Sequence, residues 1–238
     1  MINKIKKYDL CIGCGLCESV LSKDKCQMVL NERGFYEPVI NEKLAKNEKL
    51  LVKKICPGIH VETTKHKGAW GAMIAISEAW STNPLIRHKA ASGGVITSLA
   101  IYLLETHKVD AILQVGVKEN NYLLNELKVS RTREDVELNA RSRYAPALVF
   151  NDIRKILDTN KGRFAFIGKP CDIAGIKNFI NEYSQYYGRI EYFLSIFCAG
   201  IPSYNATIQV WRQSGHLDEP ISLKYRGDGW PGNFHAIF

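Results

Sequence analysis

The sequence lacks a long apolar run. Its best apolar stretch, residues 95–104, is broken by Thr97 and Ser98, whereas a membrane-spanning helix needs about 20 apolar residues. No membrane span is expected. Met1-Ile2-Asn3-Lys4-Ile5-Lys6-Lys7 carries charge with no apolar segment behind it, so no secretory signal is expected and the expected location is the cytoplasm. A disulfide framework needs an oxidising compartment and is set aside on the same ground. Internal repeats and low-complexity segments are absent. The formal net charge is +8, yet there is no basic patch interleaved with aromatic rings. The lysines are scattered, and groups such as Lys4, Lys6, Lys7 and Lys53, Lys54 are short, so nucleic acid is not an expected partner. The histidines (His60, His66, His88, His107, His216 and His235) lack ligand spacing and read as surface or internally satisfied groups.

What is present is an ordinary globular composition, 46% hydrophobic and 24% charged over 238 residues. That is enough chain to bury a core and hold one or two domains. Three of its cysteines stand at two-residue gaps, in Cys11-Ile12-Gly13-Cys14-Gly15-Leu16-Cys17, and a fourth, Cys56, is followed by Pro57. CxxCxxC with a remote Cys-Pro is the ferredoxin pattern for a 4Fe-4S cluster. Three thiolates must converge on three corners of one cluster, and Gly13 and Gly15 permit the backbone angles that such a tight loop needs. Leu21 stands where the paired-cluster run would place another cysteine, so one cluster is expected. The alternative is zinc, but a four-cysteine zinc site normally spells CxxC twice. Cys26 could replace a ligand, but a small buried thiol is the commoner role.

Residues 1–65 hold five of the seven cysteines and are expected to form a small ferredoxin-like module. Its own apolar content is thin, so the cluster is expected to hold it together. Residues 34–38 read as a turn into a strand, and 43–55 as a helix delivering Cys56. Residues 66–238 read as α/β: strands over 72–75, 109–117, 164–168 and 192–197, with helices over 92–104, 152–157, 172–180 and 203–211. Ser92 is the expected N-cap of the first of these helices.

A second constellation lies at strand ends. Cys171 follows Gly168-Lys169-Pro170, and Cys198 precedes Ala199-Gly200-Ile201-Pro202. Ligands in open α/β sheets bind beyond the carboxyl ends of strands, so both thiols stand where chemistry is expected. Ser92-Gly93-Gly94 opens a helix and can present amides to phosphate. Arg141-Ser142-Arg143-Tyr144 offers two cations and a ring, and the glycine-rich segment 225–232 carries stacking aromatics. Any of these three segments could equally be a surface turn.

Together these segments resemble the coenzyme F420 hydrogenase/dehydrogenase beta-subunit family over essentially the whole chain. The most specific matches are Gly168-Lys169-Pro170-Cys171-Asp172-Ile173-Ala174-Gly175 and Cys198-Ala199-Gly200-Ile201-Pro202-Ser203. Lys169 departs from the family pattern, which has Thr or a similar residue there. The resemblance implies an iron-sulfur flavoprotein of α/β (α+β mixed) class. In it Cys11, Cys14, Cys17 and Cys56 hold a 4Fe-4S cluster, and Ser92, Gly93, Gly94, Arg143, Tyr144, Gly168 and Pro170 bind FAD. Cys171 and Cys198 would be half of a second cluster site. Electrons would pass between a flavin and F420, a ferredoxin or another oxidoreductase subunit, or a substrate; the resemblance does not identify a catalytic residue. An electron-transfer module without a substrate site and a zinc-stabilised scaffold are the alternatives. Family chains continue further and bring a CxxC near their end, so this chain is expected to be a fragment, a truncated product or half of a split protein, with an unpaired edge around Phe234 to Phe238.

Overall fold

The computed structural model describes residues 2–62 and 71–238. His66 and the expected boundary between residues 65 and 66 lie outside the described residues. The cysteine loop runs between α1 (Ile2–Lys7) and α2 (Leu16–Leu21), followed by an antiparallel hairpin of β1 (Cys26–Leu30) and β2 (Tyr36–Ile40) and then α3 (Lys46–Ile55). Next come α4 (Pro84–Lys89), α5 (Val95–Glu105), β3 (Ala111–Lys118), β4 (Asn121–Ser130), α6 (Arg133–Asn139), β5 (Ala147–Leu148) and α7 (Ile153–Thr159). The chain ends with β6 (Phe164–Gly168), α8 (Pro170–Glu182), β7 (Ile190–Ser195), α9 (Tyr204–Gln213), β8 (Ser222–Lys224) and β9 (His235–Ile237).

A five-stranded sheet of order β5-β4-β3-β6-β7 organises the fold. β3, β6 and β7 run parallel, while β4 pairs antiparallel with β3, so the sheet is mixed. β6 carries no polar side chain, as a strand covered on both faces should. Its Phe164 and Phe166 share a core with Ile176 and Phe179 of α8, whereas Ala165 packs with Ala100, Ile101 and Leu104 of α5 on the other face. This split follows the alternation of side chains along a strand.

The carboxyl end of α5 is tied to the start of β6. Arg163 Nη2 donates to His107 O at 2.8 Å, and Asp110 N donates to Arg163 O at 2.8 Å. The 11 residues of α5 span about 16 Å, so the helix begins at the opposite edge, where β3, β6 and β7 end. α8 begins there too. The Gly93-Gly94 turn and Cys171 therefore share the carboxyl-end edge of the parallel strands.

Residues 2–62 have a small core of their own in Ile2, Leu21, Cys26, Leu44 and Val52. Leu16 and Ile55 go further and are buried in the main core beside Phe150 and Phe166. This corrects the expectation that a cluster alone holds this segment. Two local expectations are also corrected. Residues 72–75 form no strand and expose Met73 and Ile74, because no strand pairs with them. Ser92 does not cap α5: Gly93 and Gly94 both adopt left-handed φ, delaying helix entry so that Gly94 is the N-cap residue. Residues 235–237 pair with β8 in a two-stranded sheet, and Phe238 stacks on His216 at 3.9 Å.

Candidate functional site

The cysteine loop is shaped by its glycines. Gly13 and Gly15 have φ of +68° and +82°, and a Cβ at Gly13 would stand 2.9 Å from Tyr36 O. Phe150 N donates to Cys14 O at 2.7 Å, anchoring the loop to the core. α3 delivers Cys56, whose N–H donates to Val52 O at 3.0 Å. Asn178 of α8 holds the turn beyond it, donating to His60 O at 2.8 Å.

Cys11, Cys14, Cys17 and Cys56 line one apolar cavity with Ile2, Ile5, Met28 and Val52. Burial pushes the Cys11 and Cys14 thiols up and carries Cys56 to about 11. Cys17 is raised first by its hydrogen bond with Cys26 and then by burial, and the same contact lowers Cys26. Backbone N–H groups oppose these rises at all four lining sulfurs: Gly13 at Cys11, Leu16 at Cys14, Glu18 at Cys17, and Gly58 and Ile59 at Cys56. The pocket thus supplies dipoles for thiolates, with the Lys6 ammonium adding a small opposing effect at Cys11.

The donor set fits an iron-sulfur cluster. In such a cluster each iron takes its own thiolate and hydrogen bonds to sulfur tune the centre; zinc draws four sulfurs to one point. Among the described residues no three His, Cys, Asp or Glu side chains converge on a single ion position. Cys26 is fully buried beside Cys17.

At the strand ends, Cys171 is the second residue of α8 and is half-buried, while Cys198 lies exposed three residues past β7. Burial first, then the Asp172 carboxylate, raises the Cys171 thiol; Lys169 opposes this and Cys198 adds to it. Asp172, only 1% exposed, accepts from Lys169 N at 3.0 Å and from Lys169 Nζ at 2.5 Å. Burial pulls the Lys169 ammonium down, but the Asp172 carboxylate more than offsets this and holds it above the usual lysine value. This pair was missed in the sequence, where its i, i+3 spacing was the only signal.

The structure also gathers three segments that are far apart in sequence. Arg226 donates through Nη2 to Ala91 O at 3.0 Å, through Nη1 to Tyr144 Oη at 3.3 Å and through Nε to Pro231 O at 2.7 Å. The Tyr144 and Tyr225 rings meet edge to face at 5.9 Å. The Ser92-Gly93-Gly94 turn, residues 141–145 and residues 225–232 therefore form one assembly, and sequence reasoning had not singled out Arg226 as its clasp. Gly168 and Pro170 belong instead to the start of α8. The N-cap Gly94 offers no side chain to cap α5, so among the described residues its leading amides remain open. Arg143 Nε is buried without a partner, and Arg143 makes no hydrogen bond or ion pair among the described residues. Both observations fit an anionic group such as a flavin pyrophosphate.

Two family models match the chain. The beta-subunit N-terminal model of coenzyme F420 hydrogenase/dehydrogenase matches residues 76–154, and the corresponding C-terminal model matches residues 161–237. Both begin after the cysteine loop. A coenzyme F420-dependent sulfite reductase from Methanocaldococcus jannaschii is 24% identical over 233 residues, covering 90% of this chain and 34% of that protein. A chain of the xenon-derivatised F420-reducing NiFe hydrogenase complex from Methanosarcina barkeri superimposes with TM-score 0.54 at 19% identity, covering 66% of this chain and 58% of that one. This second likeness speaks for the fold. The chain spans about a third of the length of the curated relative. No helix among the described residues is long and apolar enough to cross a membrane.

Proposed function

The chain belongs to the coenzyme F420 hydrogenase/dehydrogenase beta-subunit family, and on that premise we propose that it is a flavin-dependent iron-sulfur oxidoreductase subunit. The observation that carries this reading is the apolar pocket lined by Cys11, Cys14, Cys17 and Cys56, with a backbone amide on every sulfur. These four residues would hold a 4Fe-4S cluster. The open amides of α5 behind Gly93 and Gly94 would take the phosphates of FAD, and Arg143 would add a charge-assisted hydrogen bond. Tyr144 offers a ring beside them, and Gly168 and Pro170 would border the flavin from the start of α8. When bound, the cluster would carry single electrons and the flavin would convert them to hydride equivalents. The relatives' names suggest that F420 is the partner of that exchange, with a further redox protein supplying or receiving single electrons. Cys171 and Cys198 would offer two ligands of a second cluster and need two more from elsewhere.

The test is an anaerobic ultraviolet-visible spectrum with iron, zinc and flavin assays. About four irons per chain at the first site, with bound FAD, is expected. Stoichiometric zinc without broad visible absorbance overturns the reading. Arg143→Ala should weaken flavin binding by about 1.5–3 kcal/mol, the worth of a hydrogen bond to a charged group. Unchanged flavin retention in that variant places the phosphate site elsewhere.

A further inference from the structure

Two helices flank the pocket of Cys11, Cys14, Cys17 and Cys56, and each turns a basic face to solvent. On α1, Ile2 and Ile5 line the pocket, while Lys4, Lys7 and Tyr8 just beyond the helix are exposed. On α3, Val52 and Ile55 line it, while Lys46, Lys49, Leu50 and Lys53 are exposed. The i, i+3, i+4, i+7 spacing puts those four on one helix face. None of these lysines makes an ion pair among the described residues. The acids nearby are mostly engaged elsewhere: α1 has none, and Glu48 of α3 is held by Lys25, Glu37 by Lys6 and Asp9 by Arg33. Glu42, exposed before α3, is the opposing charge that remains. Among the lysines stand apolar side chains in water: Tyr8 is 64% exposed, Leu50 54% and Leu10 49%. An apolar patch with a charged rim is the anatomy of a protein interface. Only one helix, about 10 Å across, separates either face from the pocket.

We propose that the exposed faces of α1 and α3 are the docking surface for an acidic one-electron carrier protein. The proposal rests on the reading that Cys11, Cys14, Cys17 and Cys56 hold a one-electron centre. Charge complementarity selects the partner: unpaired lysines on both helices attract a surface rich in Asp and Glu and steer its approach. Leu50 and Tyr8 then give the encounter an apolar anchor that charge alone lacks. Nucleic acid lacks support here, because the exposed aliphatic side chains offer no stacking ring for a base. In the docked state one electron crosses between the carrier and the centre. One side is oxidised by one electron, the other reduced by one, and no bond or proton moves.

The test uses the full, iron-loaded chain and a small acidic 2Fe-2S ferredoxin as the probe, with two readouts: affinity by biolayer interferometry and electron transfer by stopped-flow absorbance. The triple variant Lys46→Glu/Lys49→Glu/Lys53→Glu should lower affinity and slow transfer at least tenfold at low ionic strength, and the gap should close at about 1 M salt, where the screening length falls to about 3 Å. Reduction by the neutral photoreductant 5-deazariboflavin should be unchanged, which shows the centre itself is intact. Lys108→Glu/Lys118→Glu/Lys161→Glu makes the same change of net charge at exposed lysines outside these helices and should alter both readouts by less than twofold. Leu50→Ser should speed dissociation without changing the salt dependence. Equal losses in the two triple variants overturn the proposal, since net charge rather than this face would then steer the carrier. Unchanged ferredoxin binding in the first triple variant also overturns it, and sedimentation of the wild-type chain with phosphatidylserine–phosphatidylcholine vesicles in that case reassigns the face to a lipid surface. Failure of the iron-sulfur reading would show differently, as a wild-type chain without iron.

Discussion

The two thiol groups of this chain differ in how they treat charge. The pocket of Cys11, Cys14, Cys17 and Cys56 is lined by apolar side chains, with a backbone amide on every sulfur. The Cys171–Cys198 pair has an ion pair beside it and keeps one thiol exposed. On the iron-sulfur reading proposed above, such a dry, amide-lined pocket leaves thiolates costly until the metal arrives, so folding and metal uptake would be joined there. A half-open pair with neighbouring charges has no such joint requirement. On the same reading, the first group would offer four ligands and the second only two of the four a cluster needs.

Several variants test this contrast, and the largest effect is expected at Cys14. Cys14→Ala should bring the iron of the first site from about four per chain to near zero, with a stability loss that is a large part of the ligation energy, itself on the order of 10 kcal/mol in small metal-held segments. Cys198→Ala should leave that iron in place and change stability by less than about 0.5 kcal/mol, as an exposed substitution does. Iron analysis and thermal melts of the two variants decide it, and equal iron loss in both would erase the distinction between the regions.

How far the pocket depends on the rest of the molecule is tested one helix turn away. Ile55 precedes Cys56, is fully buried, and packs into the core of Phe150 and Phe166 rather than into the pocket segment alone. Ile55→Ala should cost about 2–5 kcal/mol. Because the core spans both regions, chemical unfolding should show one transition lowered as a whole. Two separate transitions, with only the first lowered, would mean that residues 2–62 fold as an independent unit.

The sequence made some of this legible and hid the rest for identifiable reasons. The tight turn of the cysteine loop was readable because its two glycines are required by angle and by space. β6 was readable because five residues without a polar side chain, followed by Lys169-Pro170, leave few other choices. β4 was missed. It alternates Leu and Val with Asn, Glu and Lys, and only its pairing with β3 through the turn at Asn120, in left-handed φ, fixes it as a strand. The apolar run at 72–75 misled in the opposite direction, since β-propensity without a partner makes no sheet. The Arg226 clasp on Ala91, 135 residues away in sequence, is a tertiary fact that no local pattern encodes.

A smaller effect concerns pH, with iron removed by chelation. Burial first, opposed by the amides of Gly58 and Ile59, raises the Cys56 thiol from its usual 9.0 to about 11. A folded-state pKa above the unfolded one gives stability that is present below the unfolded value and is lost as pH climbs through the folded value. The metal-free protein should therefore lose about 2–3 kcal/mol from this group between pH 9 and 11. Urea unfolding at a series of pH values measures it, and Cys56→Ala should flatten that part of the curve. A wild-type curve already flat over this range would mean that the thiol is not enclosed without its metal.

The smallest effect belongs to the neighbouring position, Lys54. Its ammonium meets Glu182 at the end of α8 at 2.9 Å, with half of the lysine side chain exposed. This contact joins the same two helices that Ile55 joins through the core, so it tests which kind of force holds the cysteine segment to the sheet. An exposed pair is weakened by solvent and by the entropy of two long side chains, and contributes about 0.2–1 kcal/mol. Lys54→Ala should accordingly cost no more than that, and the loss should shrink further at high salt. Measured beside Ile55→Ala in one set of denaturation curves, it should be the lesser effect by several-fold. A larger loss at Lys54 than at Ile55 would reverse the assignment, making charge rather than apolar packing the bond between the metal pocket and the α/β core.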